Sequence, residues 1–358
     1  MNRAFWQPRR LVFWVYAVMV FLGGLVTVLS QVFAGFIAPG AVLPALGGVV
    51  VLGPVMVVVL ALVQGPDRPP ATARWAGLVW GGLAAVSVAS VANEVLGSVV
   101  IKISGRAHAV DWSAAWVAPT SEETVKLAGI VAVACIAREH IRRPADGLGL
   151  GMAVGLGFQL VENLSYCLLA ASEAPNSDAG AAVEVLVARS AAGLASHWVF
   201  SGFAGFGVGY VLTRAGRSAA HRWLVAGGMF ALAYAAHWFW NSPLLWFETV
   251  LDGFLGIAVK TAVILAAFAV VVGWADRLSW RWFAANLAGE HPDVITPEEL
   301  AAMRTRRSRR RAKLGARRQR AFIALARARH DSPAPEADPV VAQRRWAVAG
   351  LRPTPVHG

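Results

Sequence analysis

Cysteine and charged residues are both scarce in this chain. Of its 358 residues, 2 are cysteines and 15% are Lys, Arg, Asp or Glu, whereas 57% are hydrophobic. A single disulfide is therefore the most that the chain can form, and we expect Cys135 and Cys167 to lie near opposite ends of neighbouring membrane spans, too far apart to pair. The scarcity of charge leaves long apolar runs, which predict a membrane protein.

Eight apolar runs of roughly 20 residues are long enough to cross the hydrocarbon core of a bilayer. They begin near Leu11, Ala41, Trp75, Trp116, Leu148, Arg189, Trp223 and Gly253. The runs predict an all-α, polytopic membrane domain over residues 1–275. Most basic residues between them fall on one side, so the positive-inside rule predicts that both termini are cytoplasmic. The richness in Ala, Gly, Val and Arg favours a bacterial plasma membrane.

Ionisable side chains interrupt four of the apolar runs. They lie in the segments E-E-T-V-K (122–126), F-Q-L-V-E-N (158–163), S-H-W-V-F-S (196–201) and H-W-F-W-N (237–241). Because a charge in hydrocarbon is costly, such residues are functional candidates. At about 1.5 Å per residue, Glu123, Glu162, His197 and His237 lie at a similar depth. This agreement predicts one shared site in the outer half of the membrane.

The order of these motifs resembles the PrsW family of intramembrane proteases, a branch of the group that includes the CAAX prenyl proteases and bacteriocin-processing membrane proteins. The resemblance rests on E-E-x-x-K, F-x-x-x-E-N, R-x7-H and H-x-x-x-N on successive apolar runs, and it covers roughly residues 75–274. It implies hydrolysis of a peptide bond in or near the membrane. The implied substrate is a membrane protein, typically a single-pass protein such as an anti-sigma factor.

The motif residues supply candidates for each step of hydrolysis, which needs an activated water and a stabilised oxyanion. The predicted catalytic residues are Glu122, Glu123, Glu162, His197, His237 and Asn241. We expect Glu123 to activate the water with Glu122 as its partner, and Asn241 to donate to the oxyanion. The predicted supporting residues are Lys126, Asn163 and Arg189.

Two interpretations of the chemistry stay open. His197, His237 and Glu162 match the two histidines and one carboxylate of a catalytic zinc site, although the H-E-x-x-H spacing is absent. In the alternative, glutamate activates water without a metal while both histidines and Asn241 stabilise the developing charge. The role of Arg189 is open as well, since it can anchor its helix or neutralise the glutamates.

Buried polar residues also suit two other classes of membrane protein. A proton-coupled or ion transporter uses intramembrane carboxylates and histidines as relays, but the chain lacks the internal repeats common in transporters. A non-catalytic protein that binds a partner helix is the other alternative. Outside the motifs, we expect Lys260 in the last apolar run to extend its ammonium group to the interface.

The remaining residues, 276–358, form a predicted basic cytoplasmic tail. Residues 301–330 contain eleven arginines and Lys313 without an acid, which favours binding to anionic lipid headgroups over nucleic acid. Thr296, Pro297 and Glu299 predict a helix start. The Pro- and Ala-rich residues 331–358 are expected to be disordered, apart from a short helix near 340–350.

Overall fold

The computed structural model describes residues 5–64, 71–245, 250–303 and 315–351, and the regular structure in these ranges is helical throughout. The chain divides into two compact units, of which the first ends at Val272 and the second begins at Gly273. Both cysteines are free, as predicted from their positions.

The first unit is built from long helices. They are α1 (Leu11–Ile37), α2 (Val42–Gln64), α3 (Ala71–Val79), α4 (Val86–Ser104), α5 (Arg106–Ala118), α6 (Thr124–Ile136), α7 (Pro144–Glu173), α8 (Asp178–Ala192), α9 (His197–Thr213), α10 (Ala219–Asn241) and α11 (Val250–Leu287). Two π-helical segments, Trp80–Ala85 and Pro119–Glu123, join α3 to α4 and α5 to α6. Helix α11 continues past the end of the unit.

Within the described residues, five helical runs are long and apolar enough to cross a membrane. They are Leu11–Ile37, Pro39–Gln64, Ala71–Ser104, Pro144–Glu173 and Gly253–Leu287. These runs confirm an all-α, polytopic membrane protein. The other three predicted crossings, near Trp116, Arg189 and Trp223, contain motif residues whose polarity lowers the hydropathy of the helix. The run from Arg189 is also not one continuous helix, because α8 ends at Ala192 and α9 begins at His197.

Glycines allow α7 to pack backbone to backbone against α9. A Cβ atom at Gly151 or Gly155 would lie 2.0 or 2.1 Å from a carbonyl oxygen of α9, and one at Gly205 would lie 2.3 Å from a carbonyl oxygen of α7. Small residues permit this approach. The close packing fixes His197 at the first position of α9.

The second unit contains α12 (Pro297–Ala302), α13 (Ala316–Asp331) and α14 (Pro339–Ala349). The predicted helix start is confirmed: the hydroxyl of Thr296 accepts from the backbone N–H of Glu299 at 3.2 Å, and the Glu299 carboxylate accepts from the Thr296 N–H at 3.1 Å. This reciprocal cap satisfies two donors that a helix N-terminus otherwise leaves free.

The short helix predicted near residues 340–350 is confirmed as α14. Helix α14 buries Val341 and Val348 in an apolar core that also contains Phe322, and Arg345 donates to the buried carboxylate of Glu290 at 2.8 Å. Apolar burial and ion pairs thus hold α14, the one helix that was expected within residues 331–358. The arginine-rich residues 304–314 and the last residues, 352–358, lie outside the described ranges.

Candidate active site

The two adjacent glutamates of the first motif lie in the π-helical segment Pro119–Glu123. Proline has no N–H to donate to the preceding turn, and the chain forms a wider turn at this point. Such π segments within α-helices occur frequently at functional sites. Glu122 and Glu123 are both buried, with 2% and 0% of their surface exposed. The interior of the bundle therefore holds two neighbouring carboxylates.

Lys126 lies among the acids of the first motif and is itself fully buried. Its ammonium nitrogen is 2.6 Å from Glu123 Oε1, 3.5 Å from Glu122 Oε2 and 3.0 Å from His197 Nδ1. A buried charge is tolerated only when it is paired. The sequence prediction that Lys126 supports the glutamates thus agrees with its position between them.

Glu123 lies behind Glu122 and contacts the second histidine. Its Oε1 atom accepts from His237 Nδ1 at 2.8 Å, while its Oε2 atom is buried and accepts no hydrogen bond from the described residues. Glu122, and not Glu123, lines the cavity at the site. This arrangement differs from the expectation that Glu123 faces the reacting water with Glu122 as its partner.

Glu162 contacts the first histidine. Its Oε2 atom accepts from His197 Nε2 at 2.9 Å and also from the guanidinium group of Arg189. Arg189 Nε in turn donates to the side-chain oxygen of Asn163 at 2.8 Å, and its guanidinium lies 4.0 Å from the ring centre of Tyr166. Arg189 therefore forms an ion pair with Glu162, in line with one of the two roles that its sequence position left open.

The hydrogen bonds assign the free nitrogen of each imidazole. His197 donates from Nε2 to Glu162, so its lone pair is on Nδ1, and His237 donates from Nδ1 to Glu123, so its lone pair is on Nε2. A carboxylate bound to the opposite nitrogen is the usual support of a histidine that ligates a metal. Glu123 and Glu162 thus have equivalent roles, since each accepts a hydrogen bond from the nitrogen opposite the free one of its histidine.

Both free nitrogens converge on Glu122. Its Oε2 atom is 3.6 Å from His197 Nδ1 and 3.9 Å from His237 Nε2, and one ligand atom from each of these three residues falls within 4.8 Å of the others. Two histidines and one carboxylate form the donor set of many catalytic zinc sites. The site is therefore compatible with a metal such as zinc, for which the hydrogen bond from Lys126 to His197 would have to yield.

The carboxylate of this group differs from the one that the sequence predicted. We expected Glu162 to join His197 and His237, whereas the structure brings Glu122 to them. Glu162 is displaced from this group by the orientation of the His197 ring. Glu162 contacts Nε2 of that ring, whereas Glu122 lies near both Nδ1 of His197 and Nε2 of His237. Glu162 also forms an ion pair with Arg189.

A cavity of about 440 Å³ opens onto the group. Its lining includes Asn93, Glu122, Glu162, Tyr166, Arg189, His197, His237 and Asn241. The predicted oxyanion donor, Asn241, is thus at the cavity, but its amide donates to the carbonyl of Ala114 at 3.2 Å. Of the six predicted catalytic residues, Glu123 is the one that does not line this cavity.

Sequence reasoning missed Asn93, which orients Glu122. Its amide nitrogen lies 3.3 Å from Glu122 Oε1, and its amide oxygen accepts from the hydroxyl of Ser121. The signal was present, because Asn93 and Glu94 are polar residues within the apolar run of α4. Asn93 is therefore a further candidate site residue.

The prediction for Lys260 was wrong. Instead of extending to the interface, Lys260 is 2% exposed, and its ammonium donates to the carbonyls of Trp240 at 3.1 Å and Ser242 at 2.6 Å. These acceptors lie at the C-terminal end of α10, where helical carbonyls lack intrahelical partners. No motif in the sequence marks that end as a partner for Lys260.

Residues 69–274 match the family model described as PrsW family intramembrane metalloprotease. Comparisons with curated proteins and with solved structures gave no significant match. The matched range covers more than half of the chain and contains all six predicted catalytic residues. With its all-α membrane fold and its buried glutamates and histidines, the chain belongs to the PrsW family of intramembrane metalloproteases.

Proposed function

We propose that this protein hydrolyses a peptide bond of a single-pass membrane protein, of which an anti-sigma factor is an example, in the outer half of the bilayer. Its family membership indicates an intramembrane protease. One observation carries the finer proposal: Glu122, His197 and His237 converge beside a cavity with many polar residues in a bundle that is otherwise apolar. That cavity can hold the water that hydrolysis requires.

Glu122 is the residue to which we assign the water. Its Oε2 atom is the carboxylate oxygen nearest to the free nitrogens of both histidines, so a water held between these groups can give its proton to Oε2. The hydroxide equivalent attacks the carbonyl carbon, and the proton then passes from Glu122 to the leaving amine. Asn93, through its hydrogen bond to Oε1, keeps the carboxylate directed at the histidines.

His197, His237 and Glu122 are the residues that would hold a zinc ion, which supplies Lewis acidity toward the water and the scissile carbonyl. Glu162 and Glu123 orient the rings from behind. Such carboxylate partners are typical of histidines in metal sites. The donor chemistry supports a metalloprotease. With a metal bound, Glu122 would be a ligand through Oε2 and the Lewis acidity of the metal would activate the water. Without a metal, Glu122 itself takes the proton of the water as described above.

We assign stabilisation of the oxyanion to Asn241. It follows His237 by one helical turn and lines the same cavity. Its amide now donates to the carbonyl of Ala114, and a substrate oxyanion would replace that carbonyl as the acceptor. A donor aimed at developing charge in a site of low polarity is worth several kcal/mol, about 3 kcal/mol in known cases.

The proposal places the protein in a bacterial plasma membrane with both termini in the cytoplasm. The support is the distribution of basic residues between the apolar runs. We also propose that the basic tail lies against anionic lipid headgroups. Arg318 and Arg329 are bonded to Glu299 and Glu290, so exposed arginines such as Arg317 and Arg320 are the ones available for lipid.

A reconstituted system tests the activity. The full-length protein in nanodiscs is incubated with fluorescent single-pass probe peptides, and cleavage is followed by mass spectrometry. We expect cleavage within the membrane-spanning part of a probe by the wild-type protein, and a loss of at least about 1,000-fold in Glu122→Gln. Proton flux in proteoliposomes with no cleavage of any probe would favour a transporter instead.

A further inference from the structure

A second cavity adjoins the one at the candidate active site. Its volume is about 540 Å³, and it shares Val110, Arg189, Trp240 and Asn241 with the catalytic cavity. The remaining wall is largely apolar and comes mainly from the turn after α10 and from α11, with Asp111 of α5 and Ala188 of α8. A substrate segment at the catalytic cavity therefore reaches this second cavity within a few residues, since an extended chain covers about 3.3 to 3.6 Å per residue.

The turn after α10 forms part of the wall of the second cavity. Leu245 has φ +65°, a value that L residues rarely adopt. Its carbonyl oxygen packs against Gly256 of α11, where a Cβ atom would lie 2.1 Å away. Both residues line the cavity. A bulky residue persists in such a conformation only where the surrounding structure holds it.

Lys260 also lines this apolar cavity, and it is a buried cation. Its two hydrogen bonds go to neutral carbonyls, and no carboxylate among the described residues pairs with it. The other described charges in the wall are Asp111, which is exposed, and Arg189, which is bonded to Glu162. A buried ammonium without a carboxylate is costly in a membrane protein and is a functional candidate.

We infer that the second cavity binds a carboxylate of the substrate, from an acidic side chain or a free chain terminus close to the scissile bond, with Lys260 as its ionic partner. This inference rests on the proposed peptidase function and deepens it. A peptide is favoured as the source because the cavity shares Asn241 and Arg189 with the catalytic one. Lys260 is then a determinant of specificity.

Binding to full-length protein in neutral nanodiscs tests this inference without requiring cleavage. The probes are single-pass peptides of Leu and Ala in which one glutamate occupies successive positions, each with a glutamine twin. A further pair ends within the membrane in a free carboxylate or an amide. Glu122→Gln protein is used so that no probe is consumed, and Kd is measured by energy transfer from a labelled probe to the protein.

We expect the glutamate probe to bind about tenfold more tightly than its twin at one or two adjacent positions, as a charge-assisted hydrogen bond provides. Lys260→Met should abolish this preference and Lys260→Arg should retain it. Lys102→Met, which removes an exposed lysine of α4, is the matched control and should leave it unchanged. The two probes that end within the membrane, in a carboxylate or an amide, show whether a free chain terminus binds in place of an acidic side chain.

A second variant keeps the test decisive if Lys260→Met does not fold. Ala188 is exposed and lines the cavity, so Ala188→Trp fills the cavity while the bonds of Lys260 stay intact. It too should abolish the preference.

Three results would overturn the inference. One is the absence of a preference at every position, including the case in which no probe binds, and another is a preference that survives both Lys260→Met and Ala188→Trp. The third is a preference that disappears when anionic lipid is added, since the occupant is then a headgroup.

Cleavage by protein that retains Glu122 is measured separately. A preference without cleavage would contradict the proposed peptidase alone, and cleavage without a preference would contradict this inference alone.

Discussion

The imidazole of His197 donates to the carboxylate of Glu162 across 2.9 Å. This bond turns the other ring nitrogen toward the interior of the site, where it lies 3.6 Å from Glu122. The same relationship repeats between His237 and Glu123 at 2.8 Å. Two carboxylates thus orient two rings, and Glu122 is left as the acid that shares the space between them.

Metal content distinguishes the roles of the acids. We expect nearly one zinc per purified chain, lost in His197→Ala, His237→Ala and Glu122→Gln because each removes a ligand. Glu162→Gln should weaken zinc binding by only about 10- to 100-fold, as for other residues that support a ligand. Mass spectrometry of the metal and chelator competition measure this. Zinc retained in Glu122→Gln but lost in Glu162→Gln would restore the ligand set predicted from the sequence.

The packing of α7 against α9 should control activity through His197. A side chain at Gly155 would collide with the His197 carbonyl, which lies 2.1 Å from the position of a Cβ atom. Gly155→Leu should therefore displace the ring and lower the rate of probe cleavage by about 100-fold. Gly47→Leu is the control, because nothing lies within 4 Å of a Cβ atom there. Equal rates of probe cleavage in the two variants would show that this contact does not affect catalysis.

Asn93 should matter to catalysis although no motif contains it. Asn93→Leu removes the hydrogen bond to Glu122 at 3.3 Å and the acceptor for Ser121. We expect cleavage to slow by about 10- to 100-fold, in the range of residues that orient a reacting group. Ser98→Ala, an exposed change on the same helix, should have no effect. An unchanged rate in a folded Asn93→Leu protein would show that Glu122 needs no such support.

That the motifs converge could be predicted from the sequence. A polar residue in an apolar run indicates a buried position, and the rise per residue of a helix gives its depth in the membrane. Which side-chain atoms contact each other could not be predicted. The break between Ala192 and His197 lies inside a continuous apolar run, and it sets the direction of the His197 side chain. That direction decides that Glu162 lies behind the ring and Glu122 in front of it.

Lys260 and the tail show the same limit at longer range. Snorkelling is the ordinary behaviour of a lysine in a membrane helix, and only the tertiary position of the end of α10 supplies buried acceptors instead. In the tail, composition predicted disorder beyond Asp331 apart from a short helix near residues 340–350. Composition does not reveal that Val341 and Val348 meet Phe322 in one core.

The second unit should depend on Glu290. Its side chain is 1% exposed and is bonded to Arg329 and Arg345, so Glu290→Gln leaves two arginines without their buried partner. We expect a loss of about 3 kcal/mol from the stability of this unit, seen as faster hydrogen exchange in α13 and α14 of the full-length protein. Glu336→Gln is the control, because Glu336 binds the same arginines from an exposed position. Similar rates of hydrogen exchange in Glu290→Gln and Glu336→Gln would show that the burial of Glu290 does not stabilise this unit.

The most direct measurement compares the membrane proteomes of host cells that produce the wild-type protein or Glu122→Gln at matched levels. If Glu122 accepts the proton of the attacking water, a single-pass membrane protein accumulates intact in the variant and is shortened in the wild type. That protein is then the substrate. Two identical membrane proteomes, in cells whose phenotype still responds to Glu122→Gln, would contradict intramembrane proteolysis and assign the buried carboxylate to transport or binding.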